Sequence, residues 1–308
     1  MIDWDKLIHD TGLFWQYPVK TEKEFYNQNK FDPNYIGIPW ATIIDKNLIH
    51  NIQLRDHFKA HAAALNQDQL YTCCQHCYYY GLIDWFKELN IKTVHVSHKR
   101  FSVDDIKGVK LVSCPLYAVN IEDDTRNQLF QEISDEEIIN ENRELLYSFI
   151  GAHDVHYLSE VRLRLFEMDH PENSFIKQTG SWHFNSSVFT NKQNSKYELD
   201  PGDDHDAGTQ LYNKVLKDST FSICPVGAGP NTIRLWESMA VGSIPVILSD
   251  LHELPGHDLW KYSIIRIKES EIHNMQNILT SVSSETIKIM RANLLELYAH
   301  FRKNFKNE

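Results

Sequence analysis

The amino-acid sequence predicts an α/β protein built from two doubly wound domains that face a central cleft. Segments with strand character alternate with segments of helical spacing along most of the 308 residues, which is typical of parallel sheets. A chain of this length can also form two hydrophobic cores. An acidic, weakly patterned stretch at 120–142 interrupts the alternation. We therefore predict an N-terminal domain at 1–140 and a C-terminal domain at 141–283, followed by a helix at 284–308.

The first domain contains a short alternating series. Residues 35–44 are rich in β-branched and aromatic side chains and predict a strand, whereas apolar residues at helical spacing predict a helix at 48–65. The same criteria predict a helix at 79–90 and strands at 70–76, 93–98 and 108–119. Strand, helix and strand at this spacing indicate a parallel sheet.

The second domain repeats the alternation with longer segments. Its predicted strands lie at 145–154, 174–180, 221–225, 244–250 and 263–267, and its predicted helices at 157–168, 209–219, 232–242 and 271–282. The polar stretch at 191–208, which contains Pro and Gly, predicts an exposed loop. The final helix starts at Ser283 or Ser284, because serine is a favourable N-cap residue.

The composition excludes several classes of protein. With a net charge of −11 and a pI near 5.8, the chain has no positive field that attracts polyanions, so we expect no nucleic-acid partner. The N-terminus lacks the basic and apolar regions of a signal peptide. No apolar run reaches the ~20 residues that a membrane helix needs. We therefore expect a cytoplasmic protein without a transmembrane segment.

Three of the five cysteines lie close together, at Cys73, Cys74 and Cys77. A metal site formed by Cys74, His76 and Cys77 is one interpretation, but a zinc site usually takes a second pair of ligands at similar spacing. Buried free thiols are the alternative, and they fit a reducing compartment, in which disulfides are rare. We favour free thiols and expect no metal.

The most informative stretch is FSICPVGAGPNTIRLWESMAVGSIPVILSD at 221–250. Its apolar beginning predicts a buried strand, and open α/β sheets bind ligands at the carboxyl ends of their strands. Gly227 and Gly229 in the following loop allow a sharp turn or a close approach to a ligand. A helix starts at Pro230 and Asn231, and its N-terminal N–H groups suit a phosphate.

Two charged residues, Arg234 and Glu237, share one face of this helix. The planar guanidinium of Arg234 can reach the same anion, and Glu237 can accept hydrogen bonds from sugar hydroxyls. The alternative is a surface ion pair worth about 0.3–0.5 kcal/mol. The loop is not a G-x-x-x-x-G-K-S/T phosphate loop, because no lysine follows, and its spacing is not that of G-x-G-x-x-G.

This stretch resembles the exostosin family of glycosyltransferases. The family pattern is a strand ending in C-x-x-G, an Arg, a Glu about three residues later, and then Gly, IPVI, an acidic residue and LP. The matching residues are Cys224, Gly227, Arg234, Glu237, Gly242, IPVI at 244–247, Asp250 and LP at 254–255. Fragments at 38–45, 74–99 and 148–166 also resemble the family, so the resemblance covers most of residues 36–256.

The resemblance implies the GT-B fold, an inverting mechanism and a nucleotide-sugar donor, usually a UDP-sugar. In that fold the second domain binds the nucleotide. Glu237 then matches the carboxylate that binds the ribose, whereas Arg234, Arg162 and the loop Gly227–Thr232 match the diphosphate site. Helix dipoles and basic side chains hold the leaving diphosphate, so the family implies neither a metal nor a cofactor beyond the nucleotide-sugar itself. The last helix is expected to cross back to the first domain.

Inversion requires a general base on the first domain. Asp45, His76 and His98 are the candidates, because each lies at the end of a predicted strand. We favour Asp45, which comes directly after residues 35–44. With 16 histidines in the chain, some are expected at strand ends by chance.

The sequence leaves the substrates open. Trp40 and Trp182 could stack on a sugar ring, although burial is the commoner role of tryptophan. UDP-xylose, UDP-glucuronate, UDP-galactose and UDP-N-acetylglucosamine are possible sugar donors, and a glycan hydroxyl is the expected acceptor. One rival function is a non-catalytic module that binds a nucleotide or sugar without turnover. Another is a nucleotide-sugar epimerase, which converts the donor without an acceptor.

Overall fold

The computed structural model describes residues 2–16, 19–65, 68–117, 120, 128–130, 133–180 and 203–303, with the side chains of the last range described from residue 208. The chain forms two compact α/β units. The first comprises the residues up to Leu116 together with Leu251–Pro255, and the second comprises Tyr117–Asp250 and the chain from Gly256 through the C-terminal helix. The units therefore divide at 116/117, whereas the sequence predicts a domain boundary at 140/141.

The first unit contains a four-stranded sheet in the order β1-β2-β4-β3. Its strands are β1 (Tyr71–Cys74), β2 (Thr93–Val96), β3 (Asp105–Ile106) and β4 (Val109–Ser113). β1, β2 and β4 are parallel, and β3 pairs antiparallel to β4 at the edge. The structure thus confirms the strands predicted within 70–76, 93–98 and 108–119 and their parallel arrangement.

Within the described ranges, five helices belong to this unit. They are α1 (Trp4–Asp10), α2 (Thr21–Asn29), α3 (Trp40–Asp45), α4 (Ile52–Ala63) and α5 (Ile83–Glu88), the last preceded by a 3₁₀ turn at Tyr79–Leu82. Side-chain caps fix two helix starts: the Asp3 carboxylate accepts from Lys6 N and the Asn51 amide oxygen accepts from Leu54 N, both at 3.0 Å.

The strand predicted at 35–44 is wrong over its second half, where Trp40–Asp45 form α3. Within 35–44, Tyr35 alone makes a β-bridge, to Tyr71. The Trp40 indole is fully buried, donates to Thr72 Oγ1 at 2.7 Å and packs edge-on against Phe86, with ring centroids 4.9 Å apart. A helix buried on all sides has no amphipathic period, and tertiary packing overrides the β-propensity of its residues.

The second unit contains a five-stranded, fully parallel sheet in the order β6-β5-β7-β8-β9. Its strands are β5 (Leu145–Ala152), β6 (Ser174–Thr179), β7 (Ser219–Pro225), β8 (Ile244–Leu248) and β9 (Ile265–Arg266). β7 and β8 are interior strands of the sheet and almost entirely buried, which explains why their sequences are nearly continuous apolar runs. The predicted α/β class is therefore confirmed.

Among the described residues, the helices with this sheet are α6 (Asp135–Asn140), α7 (Val161–Glu167), α8 (Asp203–Asp218), α9 (Ile233–Ala240), α10 (Met275–Thr280) and α11 (Ser284–Lys303). Short 3₁₀ turns lie at Gln128–Phe130, Asp258–Tyr262 and Glu269–Asn274. α6 lies inside the stretch that the sequence describes as weakly patterned, and a capping box of Ser134 and Glu137 starts it.

One further difference from the sequence prediction concerns a helix end. α8 begins at Asp203 rather than at residue 209, and the rest of the loop predicted at 191–208 lies outside the described residues. α11 packs against α6 and α9 within the second unit. The residues after Lys303, where the predicted crossing to the first domain would continue, are also outside the described residues.

Buried arginines bind backbone carbonyls throughout the second unit. Arg143 donates to Ser219 O at 2.9 Å and to Val241 O at 2.6 Å. Next to Val241 the backbone turns through Gly242 at φ +65°, where an added Cβ would lie 2.3 Å from Ile138 Cγ2. Four arginines of this unit bind carbonyls in this way: Arg143, Arg162, Arg234 and Arg291.

Candidate functional site

The loop after β7, predicted to hold a diphosphate, is fixed by hydrogen bonds of its own backbone. Gly227 N donates to Gly229 O at 3.2 Å, and Gly227 O accepts from Leu158 N at 3.0 Å. The Asn231 side-chain oxygen accepts from Thr232 N at 2.8 Å and from the Trp236 indole at 3.2 Å. Asn231 therefore fixes the entry into α9, for which Thr232 is the N-cap residue.

A neighbouring arginine leaves no space for a side chain at position 227, which explains the glycine there. A Cβ at this position would lie 2.8 Å from Arg162 Nη2, and the residue is not in the left-handed region. Arg162 donates from Nε to Val226 O at 2.9 Å, from Nη1 to Ala152 O at 3.0 Å and from Nη2 to Pro225 O at 3.2 Å. Arg162 thus connects the ends of β5 and β7. Its predicted contact with a diphosphate stays a prediction.

Arg234 lies between two aromatic rings. Its guanidinium carbon is 4.8 Å from the ring centroids of both Phe149 and Tyr212, and Nη2 donates to Ile150 O. The side chains of Arg234 and Glu237 are both buried, at 7% and 3% exposure. A surface ion pair between these two helix residues is therefore excluded.

Glu237 is held by a tyrosine that the sequence analysis did not identify. The Tyr212 hydroxyl donates to Glu237 Oε2 at 2.5 Å, the length of a charge-assisted O–H···O⁻ bond. Burial and the Glu237 carboxylate raise the pKa of Tyr212 well above its usual value, although Arg234 opposes the shift. The hydroxyl therefore stays protonated and donates. Tyr212 lies on α8, and its side chain contacts both Arg234 and Glu237 of α9.

In the first unit, Asp45 and His76 are brought together. His76 follows β1 as predicted, whereas Asp45 is the last residue of α3 and not the end of a strand. His76 Nε2 lies 3.0 Å from Asp45 Oδ1, and the Gln16 amide donates to Asp45 Oδ2. The Asp45 side chain is 6% exposed and that of His76 16%. Most of the surface of both side chains is therefore covered by protein, with His76 the more exposed of the two.

The protonation state of His76 is set by two opposing influences. Burial lowers its pKa, but hydrogen bonds with Asp45 and Cys77 raise it to about 10, which favours the imidazolium ion. However, Tyr78 N lies 3.0 Å from Nδ1. Because a backbone N–H can only donate, this contact requires an unprotonated Nδ1. We favour the neutral ring on this ground, with Nε2–H donating to Asp45. Both ring nitrogens are then engaged.

His98, the third candidate base, has a different environment. It follows β2 and is buried, and burial together with His76 lowers its pKa to about 3. Its Nδ1 has no hydrogen-bond partner among the residues that the structure describes. Such a histidine is neutral near pH 7 and a weak base, so the structure favours Asp45 and His76 over His98.

A chain of amide groups connects the Asp45–His76 pair to a buried carboxyl group. The Glu22 carboxylate accepts from Gln75 N at 3.0 Å and from Ala41 N at 3.1 Å. Gln75 Nε2 lies 3.4 Å from Gln16 Oε1, and Gln16 reaches Asp45. Burial raises the pKa of Glu22 to about 8, against the opposing backbone hydrogen bonds. These three residues were missed because no local sequence pattern joins positions 16, 22 and 75.

The tryptophans and cysteines singled out in the sequence have different environments. Trp40 is buried in the core and unavailable to a sugar, and Trp182 lies outside the described residues. Instead, Tyr78 and Tyr80 are exposed, with ring centroids 5.8 Å apart and Tyr78 in contact with His76. All five cysteines are free. Across the described part of the chain, no group of three His, Cys, Asp or Glu side chains is arranged to hold a metal.

These observations define a class of protein. Parallel strands form most of the sheet in the first unit and all of it in the second. His76 follows β1 and the loop Gly227–Thr232 follows β7, at the carboxyl ends of strands, where such sheets bind ligands. Residues 74–282 match the family model of the Exostosin GT47 domain. The chain belongs to this family of glycosyltransferases, as the motif at 221–250 indicates.

Individual relatives are more distant. The chain is 25% identical to an exostosin-1 homolog of Caenorhabditis elegans over 236 residues, which are 74% of this chain and 60% of that protein. It is 33% identical to a probable glucuronosyltransferase of Oryza sativa subsp. japonica over 113 residues, which are 36% of this chain and 26% of that protein. The matches thus span from about a quarter to three fifths of these relatives.

Among solved structures, the chain is similar to MurG of Acinetobacter baumannii. The sequence identity is 10% and the TM-score 0.36, and the match covers 83% of this chain and 78% of that one. At this TM-score the similarity supports no conclusion.

One further property concerns membranes: within the described ranges, no helix is long and apolar enough to span a bilayer.

Proposed function

We propose that the protein transfers a sugar from a nucleotide-sugar to a hydroxyl group of a glycan, with inversion at the anomeric carbon. The observation that carries the proposal is the buried group of Arg234, Glu237 and Tyr212 at the end of β7, inside the region that matches the glycosyltransferase family. Polar groups that are buried at the edge of a sheet lose hydrogen bonds to water, and a ligand can supply hydrogen bonds in their place. The two units would then form a GT-B enzyme.

The second unit would bind the nucleotide, for which we propose a UDP-sugar. Glu237 would accept hydrogen bonds from the ribose, and Arg234 with Gly227–Thr232 would face the diphosphate. Arg234 has a planar guanidinium fixed by two rings and one carbonyl, which leaves N–H groups for phosphate oxygens. UDP-glucuronate is one donor to test, because the rice relative is a probable glucuronosyltransferase.

The first unit would supply the general base, for which we propose Asp45. The acceptor oxygen forms a bond to the anomeric carbon while the bond from that carbon to the UDP oxygen breaks. The acceptor proton passes to Asp45, and UDP leaves with the bonding electron pair. Asp45 fits this role better than His76, since both nitrogens of the neutral imidazole are already engaged. His76 would orient the Asp45 carboxylate.

The exposed rings of Tyr78 and Tyr80 would contact the acceptor. Both lie within a few residues of His76, and Tyr78 is in ring contact with it at 5.5 Å. Aromatic rings with a polar edge suit ligands that have both apolar faces and hydroxyl groups, as sugars do. An acceptor sugar on these rings would have its hydroxyl groups near Asp45.

Metal independence and a cytoplasmic location are further parts of the proposal. Arginine and helix N–H groups would neutralise the leaving diphosphate, so a chelator should leave turnover largely intact. The five free thiols are compatible with a reducing compartment.

Calorimetry and a product assay would test the function. UDP and at least one of the four UDP-sugars named above should bind, and UDP should be released in the presence of a glycan acceptor. Nucleotide binding without turnover across a glycan array would favour the non-catalytic module. Conversion of the sugar donor without an acceptor would favour the epimerase. A product that retains the anomeric configuration would contradict the single-displacement scheme.

A further inference from the structure

We propose that Tyr212 is a specificity-determining residue, which orients the Glu237 carboxylate so that the site discriminates a ribose from a deoxyribose. The inference rests on the proposed nucleotide role of Glu237 and adds a residue to it. Tyr212 lies on α8, 25 residues from Glu237 in sequence, and neither the loop nor the helix of the family motif contains it.

The first argument is the hydrogen bond itself. A glutamate side chain has three rotatable bonds, and its carboxylate oxygens are equivalent until a neighbour distinguishes them. The Tyr212 hydroxyl binds Oε2 at 2.5 Å and so fixes the plane of the carboxylate. A fixed carboxylate can accept a pair of hydrogen bonds from a sugar diol with little loss of rotamer freedom, which increases both affinity and selectivity.

The second argument is the position of the tyrosine ring. The same ring packs on the Arg234 guanidinium at 4.8 Å, and the Phe149 ring lies at the same distance from that guanidinium. Tyr212 therefore holds Arg234 through its ring and Glu237 through its hydroxyl. Because the two contacts use different parts of one side chain, a single substitution can separate them.

Tyr212→Phe keeps the ring against Arg234 and removes only the hydroxyl. The matched control is Tyr147→Phe, which removes another buried hydroxyl of the same unit, bound to His170 Nδ1 at 2.9 Å and not to Arg234 or Glu237. Thermal unfolding of both variants verifies that they fold. Calorimetry then gives the affinities of UDP, 2′-deoxy-UDP and 3′-deoxy-UDP for each protein.

For the wild type and Tyr147→Phe we expect UDP to bind at least tenfold more tightly than one of the deoxy analogues. For Tyr212→Phe we expect this ratio to fall to threefold or less, mainly through weaker UDP binding. In a Glu237→Ala background the Tyr212→Phe change should leave the ratio unchanged, because Tyr212 acts through that carboxylate.

A purely structural tyrosine would weaken all three nucleotides equally, and an unchanged ratio in Tyr212→Phe with UDP still bound would overturn this inference alone. A wild-type protein that binds UDP without discriminating the deoxy analogues would also overturn it, together with the ribose role of Glu237. A wild type that does not bind UDP would overturn the proposed nucleotide as well.

Discussion

The candidate groups of the two units are held in opposite ways. In the first unit a carboxylate, Asp45, is held by side chains that can themselves ionise or rotate: His76 and Gln16. In the second unit, Arg162 and Arg234 are held by backbone carbonyls of strand ends and the adjoining loop, and by aromatic rings. The first environment contains an imidazole, which can be charged or neutral, whereas the arginines of the second remain charged.

The difference matches the two tasks of the proposed reaction. A base must accept a proton, so it needs neighbours that respond to a change of charge. A diphosphate site must keep a constant positive charge in a constant place, which is what preorganised stabilisation of a leaving group requires. Substitutions in the first unit should therefore alter rate and pH dependence, and those in the second unit should alter affinity and stability.

The largest effect is expected for Asp45→Asn. Removal of a general base usually costs about 10²–10⁴ in rate, so turnover should fall more than a hundredfold while UDP affinity stays unchanged. The amide keeps the shape of the carboxylate, so the fold should be retained. The control is His98→Gln, which should reduce turnover less than tenfold. If Asp45→Asn turns over within tenfold of the wild type, the base is a different residue and the comparison fails.

Glu237→Ala, in contrast, should weaken the binding of UDP. The lost hydrogen bonds to a charged group are each worth about 1.5–3 kcal/mol, so UDP should bind more than tenfold more weakly. Glu172→Ala, at an exposed position of the same unit, is the control and should bind UDP normally in calorimetry. Unchanged UDP affinity in a folded Glu237→Ala protein would remove the carboxylate from the nucleotide site.

Gly227→Ala tests how rigid the arginine environment is. The new Cβ would lie 2.8 Å from Arg162 Nη2, and the guanidinium is held by three carbonyls. Overpacking of this kind costs about 1–3 kcal/mol, which should lower the midpoint of thermal unfolding. Gly180→Ala is the matched control, since its Cβ would meet nothing within 4 Å. Equal midpoints for the two variants would show that Arg162 moves easily.

The smallest expected effect is a pH dependence in the first unit. The pKa of Glu22 is raised from 4.5 to about 8, so the folded state keeps the proton while the unfolded chain ionises. The wild type therefore loses stability as pH rises from about 4.5 to 8. Glu22→Gln should reduce this loss by at least about 1 kcal/mol, measured by urea unfolding at several pH values. Glu24→Gln on the same helix is the control, and a Glu22→Gln protein that follows the wild-type pH dependence would contradict the prediction.

Much of the fold was predictable because buried parallel strands appear as apolar runs. β7 and β8 were located closely for this reason, and the family motif around them identified Arg234 and Glu237. α3 was not predictable, since Trp40 and its neighbours form a helix through packing with Phe86 and Thr72. Composition alone assigned those residues to a strand.

The contacts within each site were less predictable than its principal residues. Asp45 and His76 were selected separately as strand-end candidates, and their hydrogen bond depends on where α3 ends. Tyr212 and Glu22 have no local signal, because each acts on a residue that is distant in sequence. The family resemblance predicts that Arg162 meets the diphosphate, whereas its observed partners are carbonyls, which no sequence pattern specifies.

The Arg162 hydrogen bonds have a consequence for how the second unit can be divided. They join Ala152 to Pro225 and Val226, and the pairing of β5 with β7 aligns the same strands. Arg162 is separated from Pro225 by 63 residues and from Val226 by 64 residues in sequence. A fragment that ends before β7 would leave the Arg162 guanidinium without two of its three acceptors. The part of this unit before β7 is therefore not expected to fold without the part that contains it.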